Sequence, residues 1–285
     1  MNGNLTSARA APTPSTAPTS PMAYWPAGTV YGTLLNFQRE CELLAPQMTL
    51  PPYKAPPSAP VLFVKTANTW SRSGAAVPVP AHVDAVEVGA TIAMVIGAAT
   101  DLSKSKENFP FSQVEYTLFA TNIVAYYVLM NDMSLPHASF FRPPVKFKCL
   151  DGFLGIGAQQ VSANQVTNVS ELALEVRIND QLCQTVDFAQ MVRSAAQLLA
   201  DVNEFMTLRE GDVLMLGSDC LPGGGRPLAR VGDRIDICVP GMPAFGTLSN
   251  SLIAETFFDG PPLKKSPPSA GSAAHEVASV GATSK

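Results

Sequence analysis

Val86-Glu-Val-Gly-Ala-Thr-Ile-Ala-Met-Val-Ile-Gly97 is built almost wholly of β-branched and apolar residues with small ones between them. A run of that kind leaves no polar face for solvent, so it predicts a buried central strand. Residues 123–131 predict another. Upstream, residues 29–36 alternate large and small side chains and predict a strand, and the charged residues 37–44 suit a short helix. Prolines at 51, 52, 56, 57 and 60 exclude regular structure there and lead into a short strand, Val61–Lys65. Residues 74–80 hold Pro78 and Pro80 and read as an irregular edge.

Downstream, residues 113–118 are expected to begin a helix. Leu172, Leu174, Val176 and Ile178 share one strand face, and Asn179-Asp180 is a hairpin signal before a strand at 181–185. Asp187 reads as the N-cap of a helix carrying Met191, Ala195, Leu198, Leu199 and Val202 at helical spacing. Gly211-Asp212 and Gly232-Asp233 lead into strands at 213–216 and 234–239. Short strands outnumber helices, and neither a βαβ rhythm nor a long repeat is present. The fold class is therefore mixed and mostly β, with a few short helices.

The 285 residues carry a formal charge of −4. The ends, 1–22 and 261–285, are rich in Pro, Ser, Thr and Ala and are expected to be disordered tails around one folded region, 23–260. That region holds 15 basic and 22 acidic residues, a balance unsuited to nucleic acid or an anionic membrane. The longest apolar stretches have 12 and 13 residues, short of the roughly 20 that a membrane helix needs. No secretory leader is legible at the N-terminus, so a cytoplasmic location is expected. Five widely spaced cysteines without a C-x-x-C pair suggest reduced thiols rather than a zinc site.

Nucleophilic triads find little support. Of three histidines, His275 falls in a tail, His82 in a proline-bounded loop and His137 after Pro136, and no Gly-x-Ser-x-Gly elbow exists. Gly223-Gly224-Gly225 lacks a following Lys-Ser/Thr and reads as a flexible loop tip. The stretch from Asn131 to Gly157 is richer. Asp132 closes an apolar strand, Arg142, Lys146 and Lys148 follow, and Asp151-Gly152 makes a turn. A carboxylate at a strand end can hold a hard cation, and nearby Lys and Arg can neutralise an anionic substrate. The same residues also suit a loop cap with solvated surface lysines.

The order Asn131-Asp132-x-Ser134, Arg142, Lys148-x-x-Asp151-x-Phe153, Gly155-x-Gly157, Leu208-x-x-Gly211-Asp212-Val213 and Gly232-Asp233 resembles the fumarylacetoacetate hydrolase family. Tyr53-Lys-Ala-Pro-Pro57, Ser139-Phe-x-Arg-Pro143 and Ala195-Ala-Gln-Leu-Leu199 are most similar to the N-terminal half, or first subunit, of its homoprotocatechuate-degrading branch. The resemblance implies a rolled mixed β-sheet. It also implies decarboxylation or isomerisation of oxo- or hydroxy-dienoate di- and tricarboxylates, in a homo-oligomer or beside a paralogous subunit. By the same likeness Lys148 and Asp151 are catalytic, with Asp151 holding Lys148 in place, Arg142, Ser218 and Asn36 bind substrate, and Asp132 holds Mg²⁺ or Mn²⁺.

The likeness breaks at the metal. Family members place Glu-x-Glu on one strand, where alternate residues share a face. Here those positions are Gly89 and Thr91, the usual His and Glu of the helix motif are Glu40 and Leu43, and the Thr-Gly-Thr-Pro loop is Leu216-Gly217-Ser218-Asp219. Glu87 shares the strand face of Gly89 and Thr91 and is the candidate displaced ligand. Three readings stay open: an active decarboxylase/isomerase subunit, a catalytically degenerate subunit supporting a metal-bearing paralogue, and a related 2-oxo-dienoate hydratase.

Overall fold

Strand pairing begins from the two apolar runs named first. The computed structural model describes residues 23–98, 123–137 and 144–255. In it, β1 (Val30–Leu34) leads to α1 (Gln38–Met48), β2 (Val61–Lys65), β3 (Trp70–Arg72) and β4 (Ala76–Val79). Next come β5 (Val86–Glu87), β6 (Ala90–Ile96), β7 (Val124–Asp132), α2 (Val145–Lys148) and β8 (Leu154–Ser162). β9 (Ala173–Ile178), β10 (Gln181–Asp187), α3 (Ala195–Asn203), β11 (Val213–Met215), β12 (Leu228–Ala229), β13 (Arg234–Cys238) and β14 (Thr247–Ala254) complete the described chain.

Among the described residues, β6 and β7 lie side by side in a mixed sheet of order β2-β1-β11-β6-β7-β8-β3. Every residue of β6 is buried, as its composition requires. A second sheet runs β10-β9-β13-β14-β4, and a short pair joins β12 to β5. β1 with β11, β3 with β8 and β4 with β14 are parallel, and the remaining pairs are antiparallel. The architecture is mostly β with a curled sheet and few helices. No helix among the described residues is long and apolar enough to cross a membrane.

Several expectations need correction. The run 86–97 is two strands, because the chain steps at Val88-Gly89 to let Glu87 bridge Ser134 while Ala90 pairs with Asn131. Asp187 caps only a single 3-10 turn, Phe188–Gln190, and Ser194 caps the helix proper through Gln197 N–H. Residues 74–80 contain the regular edge strand β4, whose Pro78 is tolerated at an edge. β8 and β14 form where the sequence pattern predicts no strand. The helix expected at 113–118 lies outside the described residues. The hairpin at Asn179-Asp180 forms with positive φ at both positions, the backbone that a tight primed turn demands.

One glycine fixes how β1 meets β2. Gly32 pairs with Phe63, and a Cβ on Gly32 would fall 2.1 Å from the Phe63 ring. The ring therefore lies over the glycine, buried, and 4.6 Å from the Lys148 ammonium. Gly32→Ala should cost about 1–3 kcal/mol by overpacking, read from urea unfolding. Phe63→Leu in the same chain should recover part of that loss. A Gly32→Ala variant of unchanged stability would refute the close approach.

Candidate functional site

Asp132 ends β7, where Gly89 carbonyl accepts its N–H at 2.8 Å, and its side chain is almost wholly buried. Its Oδ2 accepts from Lys148 Nζ at 2.5 Å, and its Oδ1 lies 2.8 Å from Lys65 Nζ. Lys65 is equally committed elsewhere. Its ammonium donates to the carbonyls of Met133 (2.9 Å), Lys148 (2.6 Å) and Phe153 (2.8 Å). Three protons thus go to three carbonyls, and the contact with Oδ1 is ionic; that oxygen accepts no hydrogen bond among the described residues.

Burial pushes the Asp132 carboxyl up, but Lys148 and Lys65 outweigh it and bring the pKa down to about 2. Burial drives Lys148 down to about 8 against the pull of Asp132, with Arg226 and Lys65 acting in the same direction as burial. Lys65 is lowered by burial too. Asp132 alone cannot balance two buried ammonium groups in so little water, so both lysines remain below their usual range.

A second ionic group lies near the first. Arg226, 7% exposed, follows Gly223-Gly224-Gly225 and enters between Glu40 of α1 and Glu87 of β5. Its Nη2 is 3.3 Å from Glu40 Oε1, and its Nη1 is 3.8 Å from Glu87 Oε2. Glu40 Oε2 accepts Leu35 N–H at 3.0 Å, which holds Leu35 at a left-handed φ of 58°. Glu87 Oε2 accepts Ser134 Oγ–H at 3.2 Å. Glu40, Glu87 and Arg226 line a cavity of about 200 Å³ together with Leu43, Leu44, Gln47, His137 and Cys220. A larger groove of about 900 Å³ runs past Tyr31, Val64 and Trp70 and reaches this network only at Lys65.

Other sequence candidates fall elsewhere. Asp151 does not hold Lys148: it is exposed and accepts from Asn68 Nδ2 at 2.6 Å, because the turn carries it to the surface. Asn36 is spent on structure, donating to the carbonyls of Leu216 (2.9 Å) and Arg193 (3.2 Å) and accepting Arg193 N–H (3.0 Å). Ser218 is buried beside Asp219, whose carboxylate pairs with Arg39. Arg142 lies outside the described residues. Lys146 is exposed, whereas Lys148 is inaccessible to solvent. Lys65 and Arg226 went unnoticed. Lys65 had a signal, since it shares a strand face with the buried Phe63; Arg226 had none.

A divalent metal does not fit these residues. Asp132 already faces two ammonium groups, and a Cβ on Gly89 would stand 2.3 Å from Asp132 carbonyl oxygen, so no carboxylate can grow from that position. Thr91 Oγ donates to Ile92 carbonyl, and Glu87 faces Arg226 instead of serving as a displaced ligand. Among the described residues no three His, Cys, Asp or Glu side chains are grouped to hold a metal ion. The donor set is one carboxylate short of company and two positive charges long.

Asp132→Asn should therefore lower stability by about 3–5 kcal/mol at neutral pH, because it strands two buried cations. Adding Lys148→Met should recover part of it, a coupling that a double-mutant cycle reads. Between the ordinary Asp pKa of 3.8 and about 2, the unfolded chain binds more protons than the folded one. Stability from this pair should then fall with falling pH across that window, by about 2 kcal/mol in all. Acid titration of urea midpoints that is equally steep in wild type and double variant would sink this assignment.

The model of the fumarylacetoacetate (FAA) hydrolase C-terminal family matches residues 29–253. The chain is 34% identical over 231 residues to a 4-hydroxyphenylacetate degradation bifunctional isomerase/decarboxylase of Salmonella dublin, covering 81% of this chain and 48% of that protein. It spans about half the length of such curated relatives. An oxaloacetate tautomerase of Bacillus subtilis is 28% identical over 200 residues, 69% of this chain and 62% of its own. Among solved structures, 5-carboxymethyl-2-hydroxymuconate delta-isomerase from Mycobacterium smegmatis superposes with a TM-score of 0.60 at 21% identity, covering 82% of each chain. The match of that family model across residues 29–253, on this mostly β fold, shows that the chain belongs to the fumarylacetoacetate hydrolase family.

Proposed function

We propose that the chain is a metal-free subunit of an isomerase/decarboxylase acting on oxo- or hydroxy-dienoate carboxylates of 4-hydroxyphenylacetate breakdown. In this reading it corresponds to one half of the bifunctional relatives, and a metal-bearing paralogue carries the metal-dependent step. The observation that carries it is the capping of Asp132 by Lys148 and Lys65 where a metal-dependent site needs free carboxylates. The chain's own cavity keeps the part of the work that needs no metal: excluding water and holding a small carboxylate on Arg226, between Glu40 and Glu87 as acceptors for a neighbouring O–H. Lys148, fully buried, acts by fixing Asp132 and the β7 end rather than by touching substrate.

The test has two arms. Free Mn²⁺, followed by the electron-spin signal of its aqua ion, should not be depleted by micromolar wild-type chain, and chelator should not move its melting temperature. Turnover of 2-hydroxyhepta-2,4-diene-1,7-dioate, followed by loss of dienol absorbance, should be absent with the chain alone. It should rise when the chain is mixed with a family member that carries Glu-x-Glu on the strand equivalent to β6. Metal-stimulated turnover by the chain alone would refute the proposal.

A further inference from the structure

We infer that Arg226 is the carboxylate anchor of the cavity, carried into place by the glycine loop, and that it selects acids with a hydrogen-bond donor next to the carboxylate. The inference rests on the reading above that the cavity takes a small carboxylate, and it assigns the residue and the ligand chemistry.

Arg226 is more than nine-tenths buried, yet its guanidinium is poorly satisfied. Charge-assisted N–H···O contacts normally close to about 2.7–2.9 Å. Those of Arg226 stand at 3.3 and 3.8 Å, and its Nε has no partner among the described residues. The two acids cannot close the gap freely, because Leu35 N–H and Ser134 Oγ–H hold one oxygen of each. A buried fork that lines the cavity and keeps an unpartnered Nε–H is the form that accepts a planar carboxylate through Nε and Nη together.

The loop suits that task. Leu221 N–H donates to Gly225 carbonyl (2.9 Å) and Gly224 N–H to Leu221 carbonyl (2.8 Å), which closes a tight turn at the base of Arg226. Gly224 and Gly225 have φ of 85° and 67°, and a Cβ on Gly223 would meet nothing within 4 Å. The glycines thus permit the left-handed backbone that turns the arginine inward, with open space beside Gly223.

The surroundings define the ligand. Glu40 and Glu87 are hydrogen-bond acceptors beside the guanidinium, so they repel a second carboxylate and receive a hydroxyl or enol proton. Leu43 and Leu44 give the cavity an apolar wall for a short carbon chain. The fitting chemistry is a 2-hydroxy or 2-enol acid, bound by its carboxylate on Arg226 and by its O–H on Glu40 or Glu87.

The probes are 2-hydroxybutyrate and malonate, titrated by calorimetry and by the ¹⁵Nε–H resonance of Arg226 in the wild-type chain. The expected result is that 2-hydroxybutyrate binds at least tenfold more tightly than malonate and moves the Arg226 resonance. Arg226→Met should weaken the hydroxy acid tenfold or more, and Arg226→Lys should fall between, since an ammonium cannot present a fork. If Arg226→Met proves unstable because Glu40 and Glu87 lose their counter-ion, the wild-type resonance still decides. Binding with an unmoved resonance, or unchanged in a folded Arg226→Met variant, overturns the anchor and leaves the cavity reading standing. Malonate binding as tightly as the hydroxy acid overturns the selectivity. Failure of both acids to bind at millimolar concentration overturns the cavity reading itself, and the anchor with it.

Discussion

The structure turns on one ammonium group. Lys65 stands at the end of β2, and its three protons reach carbonyls that follow β7, end α2 and precede β8. None of those carbonyls belongs to a strand pairing at that point, so each would otherwise be a buried acceptor without a donor. A buried ammonium is costly by itself. It persists here because four oxygens surround it, three from the backbone and one from Asp132. The crossing of three chain segments and the orientation of the acid are thereby a single constraint. Lys148 brings a second ammonium onto the same carboxylate, covered by Phe63 over Gly32.

That constraint explains why the family's metal has no place here. A divalent ion is held when carboxylates outnumber the positive charge around them. In this chain the positions expected to supply two of them are a glycine in contact with backbone and a threonine bonded to its own strand. The positive charge comes instead from Lys65, Lys148 and Arg226, against Asp132, Glu40 and Glu87. The Val88-Gly89 step between β5 and β6 belongs to the same arrangement, since it brings the Gly89 backbone onto Asp132 and turns Glu87 toward Arg226.

Much of this was legible from residue pattern and some was not. Continuous apolar runs exposed β6 and β7 because burial on both faces leaves a compositional mark. The Asn179-Asp180 turn was legible because few residues tolerate its backbone. β8 escaped because Gly155, Gly157 and its glutamines blur any period, although its first half is buried. The start of α3 was misplaced because Asp187 and Ser194 are both competent caps, and only packing chooses between them. Within the candidate site, motif spacing singled out Asp132 and Lys148 but paired Lys148 with Asp151, whereas the fold pairs it with Asp132. Asp151 is near in sequence, whereas Asp132 reaches Lys148 only through the fold. Arg226 was invisible for the same reason: its partners are more than a hundred residues away.

The balance of charge also decides what kind of recognition remains. A bound divalent ion would give the cavity a positive field, which draws any di- or tricarboxylate strongly and with little regard to the shape of its neighbouring groups. Three buried cations against three buried anions leave no such field. Attraction at Arg226 is then local, and the flanking Glu40 and Glu87 oppose an incoming anion unless it also brings a proton to share. Discrimination passes from net charge to the direction of individual hydrogen bonds, where one misplaced or missing donor leaves a buried group unpaired at about 1–3 kcal/mol. A site of this kind binds more weakly than a metal centre and chooses more narrowly, because its selectivity lies in single hydrogen bonds and not in net charge.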